Sequence, residues 1–238
     1  MAQESEYTKT ILCLANSRKM SGRCLAGKEV VGDKIGGWVR PVSARPYEEI
    51  SEADRRYKDG TTAALLDVIA IPMVKPKPGT YQTENHLIAE QFYWKRVGAA
   101  TKRQLETCVD QVSGPLWING HSSSNGPNDR IPEAAASELR SSLLLIRPLE
   151  LRVRVAPKGD PNAPEKRSVR ALFELDKAQY NLGLTDAAIE RKYLQGKNGT
   201  FPVEDALLCV SLGEPFNGYV YKLAAALITP DRIGKRDD

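Results

Sequence analysis

The two halves of the chain repeat one order of predicted elements: three strands, a helix and two further strands. Alternating apolar residues and β-branched side chains predict the strands, and apolar residues three or four positions apart predict the helices. Between the halves lies a segment rich in Ser, Gly, Asn and Pro, residues 113–138. The repeat therefore predicts a first unit over 8–112 with a C-terminal helix, a polar connecting loop over 113–138, and a second unit over 139–230.

In the first half, the predicted strands cover 10–14, 23–31, 36–42, 64–73 and 92–97. Residues 47–57 place apolar side chains near helical spacing, so they are predicted as the helix of the repeat. The polar stretch 74–91 is predicted as a long loop. A helix over 101–112 ends the unit, with Thr101 as its candidate N-cap.

In the second half, the predicted strands cover 142–155, 166–174, 180–184, 205–212 and 219–228. The first of these strands contains Pro148, where a bend is expected. Residues 156–165 are predicted as a flexible loop, since they are rich in Pro, Gly and Asp. A helix is predicted over 185–194, with Thr185 as its candidate N-cap.

This order is that of a five-stranded Greek-key barrel of the OB type, in which a helix lies between the third and fourth strands. The predicted fold class is therefore mainly β with a few helices, built as two tandem OB-type five-stranded Greek-key barrels. One continuous α+β sheet, whose element spacing repeats by coincidence, is the alternative.

Composition and charge narrow the partners only slightly. The net charge is +4, which permits an anionic partner without requiring one. The start of the chain is polar and acidic rather than basic and apolar, and the apolar run 223–228 is too short to span a bilayer. We therefore expect an intracellular, cytoplasmic protein with no membrane partner.

Metal and nucleotide chemistry have no sequence signature here. The four cysteines include no CxxC pair and the two histidines are isolated, so neither a structural metal nor a disulfide framework is expected. Neither GxxxxGK[ST] nor GxGxxG occurs. We expect no cofactor and no catalytic residues.

Several short segments, in their order along the chain, resemble the bacterial dual OB-containing domain family. The longest are Lys9–Arg18, Ser21–Glu29 and Gly36–Val42, and shorter ones follow: Leu66-Asp67, Gln82–Asn85, Asn128–Arg130, Ser211–Gly213 and Tyr221–Leu223. The resemblance extends from about residue 9 to about 228. It implies two OB barrels and nucleic-acid binding without an established enzyme activity, and it associates the chain with bacterial defence or mobile elements.

The first unit carries the strongest basic character. Residues 9–45 contain eight Lys or Arg side chains and two acids, and such cations suit phosphates because each contact releases a condensed counterion. Arg18, Lys19 and Arg23 lie in or beside the first loop of the barrel, where OB folds bind their ligands. They are the first candidate residues for binding nucleic acid, with single strands favoured.

Trp38 and Arg40 lie two positions apart on a predicted strand, so they share one face. An exposed Trp beside an Arg offers a base a stacking surface and a phosphate contact. The alternative is a core Trp38 with Arg40 as a charge at the rim.

The predicted loop 74–91 supplies the remaining candidates for nucleic-acid contact: Lys75, Lys77, Tyr81, Gln82 and Asn85. Tyr81 could stack on a base. The two amides could read base edges, although loop amides more often brace the backbone.

Other parts of the chain leave alternatives open. Arg152 and Arg154 alternate with valines, so they share a strand face that is either solvated or a continuation of a phosphate track. Asp67, Glu84 and Lys95 could converge as a metal-dependent nuclease. The polar loop 116–130 contains His121, Asp129 and serines, but no GxSxG sequence accompanies them. A scaffold module that docks a nucleic-acid-processing partner is the other alternative.

Overall fold

The computed structural model describes residues 7–158 and 166–236. These form two compact units. The first contains 7–108 with 140–142 and 231–236, and the second contains the described residues of 109–139 and 143–230. Residues 113–138, predicted as a connecting loop, therefore cluster with the second unit.

The first unit contains six strands and one helix: β1 Tyr7–Lys19, β2 Gly22–Val31, β3 Lys34–Val42, β4 Asp67–Pro76, β5 Asn85–Ile88, β6 Lys95–Ala99 and α1 Lys102–Cys108. Strands β1, β2 and β3 pair in sequence, and β3 then pairs with β5 in parallel. Strand β5 pairs with β4, which pairs back with β1, so five strands close into a barrel. This is the OB strand order, and it confirms the predicted fold for the first half.

Three element predictions for the first unit are wrong. The predicted helix over 47–57 is a short 3-10 turn, Pro46–Glu48, followed by turns. Tyr47 and Glu48 have φ values of 67° and 57°, which no α-helix accommodates. The fifth strand of the barrel is β5, inside the predicted loop. The strand predicted at 92–97 corresponds to β6, which among the described strands pairs with β4 alone and is not part of the barrel.

A close approach of two strands explains the position of Gly27. The register between β1 and β2 shifts between Cys13 and Ala15, and Gly27 lies opposite Cys13. A Cβ at Gly27 would come within 2.1 Å of the carbonyl oxygen of Leu12. Only glycine fits beside this bulge.

The second unit contains eight strands and two helices: β7 Arg130–Pro132, α2 Glu133–Ala136, β8 Leu143–Ile146, β9 Leu149–Pro157, β10 Arg167–Leu175, β11 Ala178–Leu184, α3 Ala187–Leu194, β12 Gly199–Pro202, β13 Leu207–Phe216 and β14 Tyr219–Ile228. Strands β9, β10 and β11 pair in sequence, and β11 pairs in parallel with β14. Strand β14 pairs with β13, so the order again follows the OB pattern.

Closure of the second barrel uses the bend that Pro148 predicts. Strand β8 pairs with β13, whereas β9, which begins three residues after β8 ends, pairs with β10. Together, β8 and β9 make the two pairings that the first strand of an OB barrel makes. Helix α3 lies between the third and fourth strands of the barrel as predicted, but its cap is Asp186, whose carboxylate accepts hydrogen bonds from the backbone N–H groups of Ala188 and Ile189.

Each barrel has its own apolar core. Ile11, Leu25, Val39, Ile69 and Trp94 belong to the first core, and Val153, Ala171, Tyr180, Leu208 and Ala224 belong to the second. Among the described residues, no helix has the length and apolar character that crossing a membrane requires.

Candidate nucleic-acid interface

The outer face of the first barrel holds the predicted pair Trp38 and Arg40. Register places Leu12, Lys28 and Trp38 in one row across β1, β2 and β3, and the ammonium of Lys28 lies 5.6 Å from the centre of the Trp38 ring. Leu12 and Lys28 are buried and Trp38 is half-buried. Trp38 is therefore neither in the barrel core nor an open stacking surface.

Arg40 is 2% exposed, and its guanidinium is held by groups of the same unit. One Nη atom donates a hydrogen bond to Ser142 Oγ at 2.7 Å and lies 3.2 Å from Glu84 Oε1. Ser142 in turn donates a hydrogen bond to the Glu84 carboxylate. Arg40 therefore completes a buried ion pair and does not present its charge to solvent.

The predicted loop 74–91, which contains the end of β4 and all of β5, is held by contacts within the first unit. Tyr81, Gln82 and Asn85 are buried, and the Asn85 amide donates to Gln82 Oε1 at 3.3 Å. Lys77 forms an ion pair with Glu48 at 2.7 Å, whereas Lys75 is exposed near the end of β4. Of the five candidates from this loop, the structure leaves only the two lysines within reach of a large ligand.

The hairpin between β1 and β2 brings Arg18, Lys19 and Arg23 together. Arg18 and Arg23 are directly opposite each other across the two strands, and both have exposed area. The carboxylate of Glu49 accepts hydrogen bonds from the backbone N–H groups of Ser21 and Gly22 at 3.0 Å. The hydrogen bond from the Ser21 hydroxyl, together with these two backbone bonds, holds the pKa of Glu49 below its usual range.

The outer face of the second barrel is different, because it is basic and open. Val153 and Val155 point into the core, so Arg152 and Arg154 point outward. Arg154 is exposed and lies directly opposite Arg170 of β10, while the Arg152 side chain is 53% exposed. The sequence indicated that Arg152 and Arg154 share a face, but not which way it points.

Arg170 is held in place on this face. Its Nε donates to Asn181 Oδ1 at 2.7 Å, and an Nη atom lies 3.6 Å from a carboxylate oxygen of Asp129. Desolvation lowers the pKa of Arg170, the neighbouring charge of Asp129 raises it and that of Arg154 lowers it. The Arg170 guanidinium is therefore a positioned charge beside the exposed side chain of Arg154.

Hydrogen bonds and close packing hold the polar segment 116–130 against the second barrel. Asp129 accepts hydrogen bonds from the backbone N–H and the hydroxyl of Ser123, at 2.7 and 2.5 Å. The amide of Asn181 donates to the carbonyl oxygen of Asn125 at 3.0 Å. Gly126 packs so closely on Asn181 that a Cβ there would lie 2.5 Å from the Asn181 side chain.

A buried lysine anchors the start of the same segment. The ammonium of Lys222 donates to the carbonyl oxygen of Ile118 at 2.7 Å and to Asn119 Oδ1 at 3.0 Å, and lies 5.3 Å from the centre of the Tyr180 ring. Desolvation lowers the pKa of Lys222 to about 7, against the raising effect of Asp129. The sequence placed Lys222 in one of the segments that resemble the family, Tyr221–Leu223, but it did not indicate that this lysine is buried.

A groove lies on this open face, between the segment that contains Pro127 and the strands β9, β10 and β11. Its volume is about 210 Å³, and its lining includes Arg152, Leu172, Glu174 and Gln179. The face thus combines one positioned cation, two exposed cations and a recess, which suits a ligand with phosphates and a planar group.

Carboxylates that could hold a metal do not converge. Asp67 accepts hydrogen bonds from Tyr57 at 2.9 Å and Arg96 at 2.6 Å, while Glu84 belongs to the Arg40 ion pair. Within the part of the chain that the structure describes, no group of three or more His, Cys, Asp or Glu side chains could hold a metal ion. Ser123 bonds Asp129 directly, with no histidine between them.

Comparison with known proteins gives one match. A family described as "Dual OB-containing domain" matches residues 9–227, which is most of the chain. No curated protein and no solved structure matches. The match confirms the resemblance that the sequence segments show.

Proposed function

The chain belongs to the dual OB-containing domain family, and on that premise we propose that it binds single-stranded nucleic acid without catalysing a reaction on it. OB barrels commonly bind oligonucleotides along their second and third strands. In the second barrel these are β10 and β11, which with β9 carry the open basic face. We assign the principal contact to this face rather than to the first barrel.

The observation that carries the proposal is the pairing of Arg154 with Arg170. Like charges directly opposite on neighbouring strands destabilise a sheet, and here a third arginine, Arg152, lies on the same face. An anionic ligand would relieve this repulsion. The phosphates of a nucleic acid supply such charges at regular spacing, and their contacts release counterions.

Single strands are favoured because the same unit offers rings to unpaired bases. Phe216 is 64% exposed at the turn between β13 and β14, which corresponds to the loop between the last two OB strands. Tyr219 lies directly opposite Phe216, and the Arg130 guanidinium lies 3.9 Å from the centre of its ring. Aromatic and guanidinium planes stack on bases that a duplex keeps paired.

The first barrel supplies a second, weaker contact in this proposal. The cations Arg18, Lys19 and Arg23 at its β1–β2 hairpin suit phosphates, whereas Arg40, Tyr81, Gln82 and Asn85 are committed to internal contacts. Replacing Arg40, Tyr81, Gln82 or Asn85 is therefore expected to lower the stability of the first barrel rather than to remove a contact with the ligand.

Fluorescence-anisotropy titration tests the proposal, with labelled single- and double-stranded oligonucleotides of about 12 nucleotides at two salt concentrations. Wild type is expected to bind single strands with an affinity that falls steeply with salt. Arg154→Ala should weaken binding about tenfold, since it removes one phosphate contact. Arg103→Ala, at an exposed position of α1, is the matched control. Binding that ignores salt, or equal losses in both variants, would contradict the proposal.

Docking of a protein partner is the second candidate function, and one observation favours it. Val97 in the edge strand β6 and Phe92 and Tyr93 just before it are exposed large hydrophobics, and such strands can pair with another chain. If wild type binds none of the oligonucleotides, Tyr93→Ser and Val97→Ser should be tested next against candidate protein partners.

A further inference from the structure

Tyr47 occupies a position in the first unit that usually holds a glycine. It follows Pro46 in a turn whose Glu48 N–H donates a hydrogen bond to the carbonyl oxygen of Arg45 at 3.0 Å, and its φ and ψ are 67° and 0°. This is the pattern of a type II turn, whose third residue needs a positive φ and is therefore commonly Gly or Asn. A tyrosine there strains the backbone, because its Cβ is crowded by the carbonyl oxygen that follows.

The next residue in the turn shows how such strain can be offset. Glu48 also has a positive φ, 57°, but its carboxylate forms an ion pair with Lys77 at 2.7 Å and accepts a hydrogen bond from the Asn85 amide at 3.3 Å. The Tyr47 side chain is 62% exposed. With the residues that the structure describes, it forms no hydrogen bond, aromatic pair or cation–π pair. The Tyr47 ring therefore contributes nothing inside the unit that offsets its strain.

Contacts with the β1–β2 hairpin hold the turn in place. Glu49 accepts the hydrogen bonds from the tip of that hairpin, and Ile50 exchanges two backbone hydrogen bonds with Arg23 at 2.8 and 2.9 Å. Tyr47 precedes Ile50 by three residues, so their Cα atoms are at most about 11 Å apart. The exposed ring thus lies near the hairpin that carries Arg18 and two further cations.

We propose that Tyr47 stacks on one unpaired base of a nucleic acid whose phosphates contact the cations of the β1–β2 hairpin. This inference rests on the proposed function and adds a base contact to the weaker site on the first barrel. Backbone strain that the surroundings maintain is typical of ligand sites, and a backbone already held in place loses little freedom on binding. Stacking on an aromatic ring accepts any base, so no sequence preference is expected. The cations near the ring favour a nucleic acid over an apolar protein surface.

Anisotropy titration with an oligo-dT of about 30 nucleotides tests this role. Such a strand is longer than the roughly 4–16 nucleotides that one OB fold occupies, so the second barrel alone does not take up all of it. Tyr47→Ala is expected to weaken binding about fivefold, the low end of what one stacked base contributes. Tyr47→Phe should keep wild-type affinity, because the ring remains. Tyr93→Ala is the matched control, since Tyr93 is 57% exposed in the same unit but lies just before β6.

The stability of a glycine variant separates stacking from a structural role. Tyr47→Gly removes the ring and the strain of the positive φ together. It should weaken oligo-dT binding as much as Tyr47→Ala does, while its urea midpoint of unfolding stays at the wild-type value or rises. A lower midpoint in Tyr47→Gly would show that the ring stabilises the unit, and would overturn the stacking role.

The outcomes of the titration distinguish this inference from the proposed function. If wild type binds oligo-dT with salt-sensitive affinity but Tyr47→Ala binds as well as Tyr93→Ala, the stacking role is wrong and the proposed function stands. An equal loss in Tyr47→Phe and Tyr47→Ala would assign the effect to the hydroxyl and also overturn stacking. Failure of wild type to bind oligo-dT overturns the proposed function itself.

Discussion

The two barrels share one strand order but treat the outer face of their sheets in opposite ways. In the first barrel that face buries Leu12, Lys28 and Arg40. In the second, the equivalent face exposes Arg152 and Arg154 around the fixed charge of Arg170. A basic residue on the outer face of an OB barrel is therefore accessible to a ligand only where that face is open.

The difference comes from the segments that pack beside each sheet. Helix α1 contacts β3, and Ser142 closes the ion pair of Arg40 with Glu84. In the second unit the segment 116–130 is fastened at Asn181 and Lys222, so it borders the face and leaves a groove beside it. One topology thus yields a covered surface and an open one.

The largest expected effect is on the folding of the first barrel. Arg40→Ala leaves Glu84 buried without its cation, so the free energy of unfolding should fall by about 3–5 kcal/mol, as measured by urea titration. Arg140→Ala, an exposed position of the same unit, should change it by less than about 0.5 kcal/mol. If Arg40→Ala is as stable as wild type but has lost oligonucleotide affinity, Arg40 contacts the ligand and the first barrel carries the binding face.

Lys222, a buried cation of the second barrel, should make the stability of the protein depend on pH. Lys222 is held by neutral oxygens, and its pKa of about 7 is lower than in an unfolded chain, so above pH 7 the unfolded state binds more protons than the folded one. Stability should therefore rise with pH from about 7 to 8.5, by up to about 1.4 kcal/mol per pH unit from this group. Urea titrations of Lys222→Met should lack this part of the rise; identical pH profiles would show that Lys222 keeps an ordinary pKa.

The salt dependence of oligonucleotide affinity should show which of the two faces contacts the phosphates. Arg152→Ala should weaken single-strand binding several-fold and make the slope of log affinity against log salt shallower by about one, because one phosphate contact is lost. Anisotropy over a series of salt concentrations measures this slope. Lys192→Ala, exposed on α3, should leave it unchanged, and an equal change in that control would mean that only net charge matters.

The smallest effect is expected at the hairpin of the first barrel. Arg18→Ala should weaken binding about two- to threefold, since Arg18 offers a solvated phosphate contact with little burial. The same titration measures it. A loss larger than that of Arg154→Ala would move the principal site to the first barrel.

Sequence reasoning worked best where a local pattern carries a structural meaning. Alternation found β2, β3 and β10, Pro148 marked the bend between β8 and β9, and the repeat predicted two barrels. It was wrong at 47–57, where helical spacing is outweighed by the positive φ values of Tyr47 and Glu48. It missed β5, because four residues are too few to show a period.

The sequence by itself determined most of the longer strands, their order along the chain and which of their side chains share a face, because alternation is a local property of the backbone. Only the tertiary structure decided which face is open, since Arg40 is covered by residues about 100 positions away and Arg154 is not covered. Burial depends on contacts between distant segments, and a strand pattern contains no information about them. Packing therefore determines that Arg40 forms a buried ion pair and that Arg154 stays accessible to a ligand.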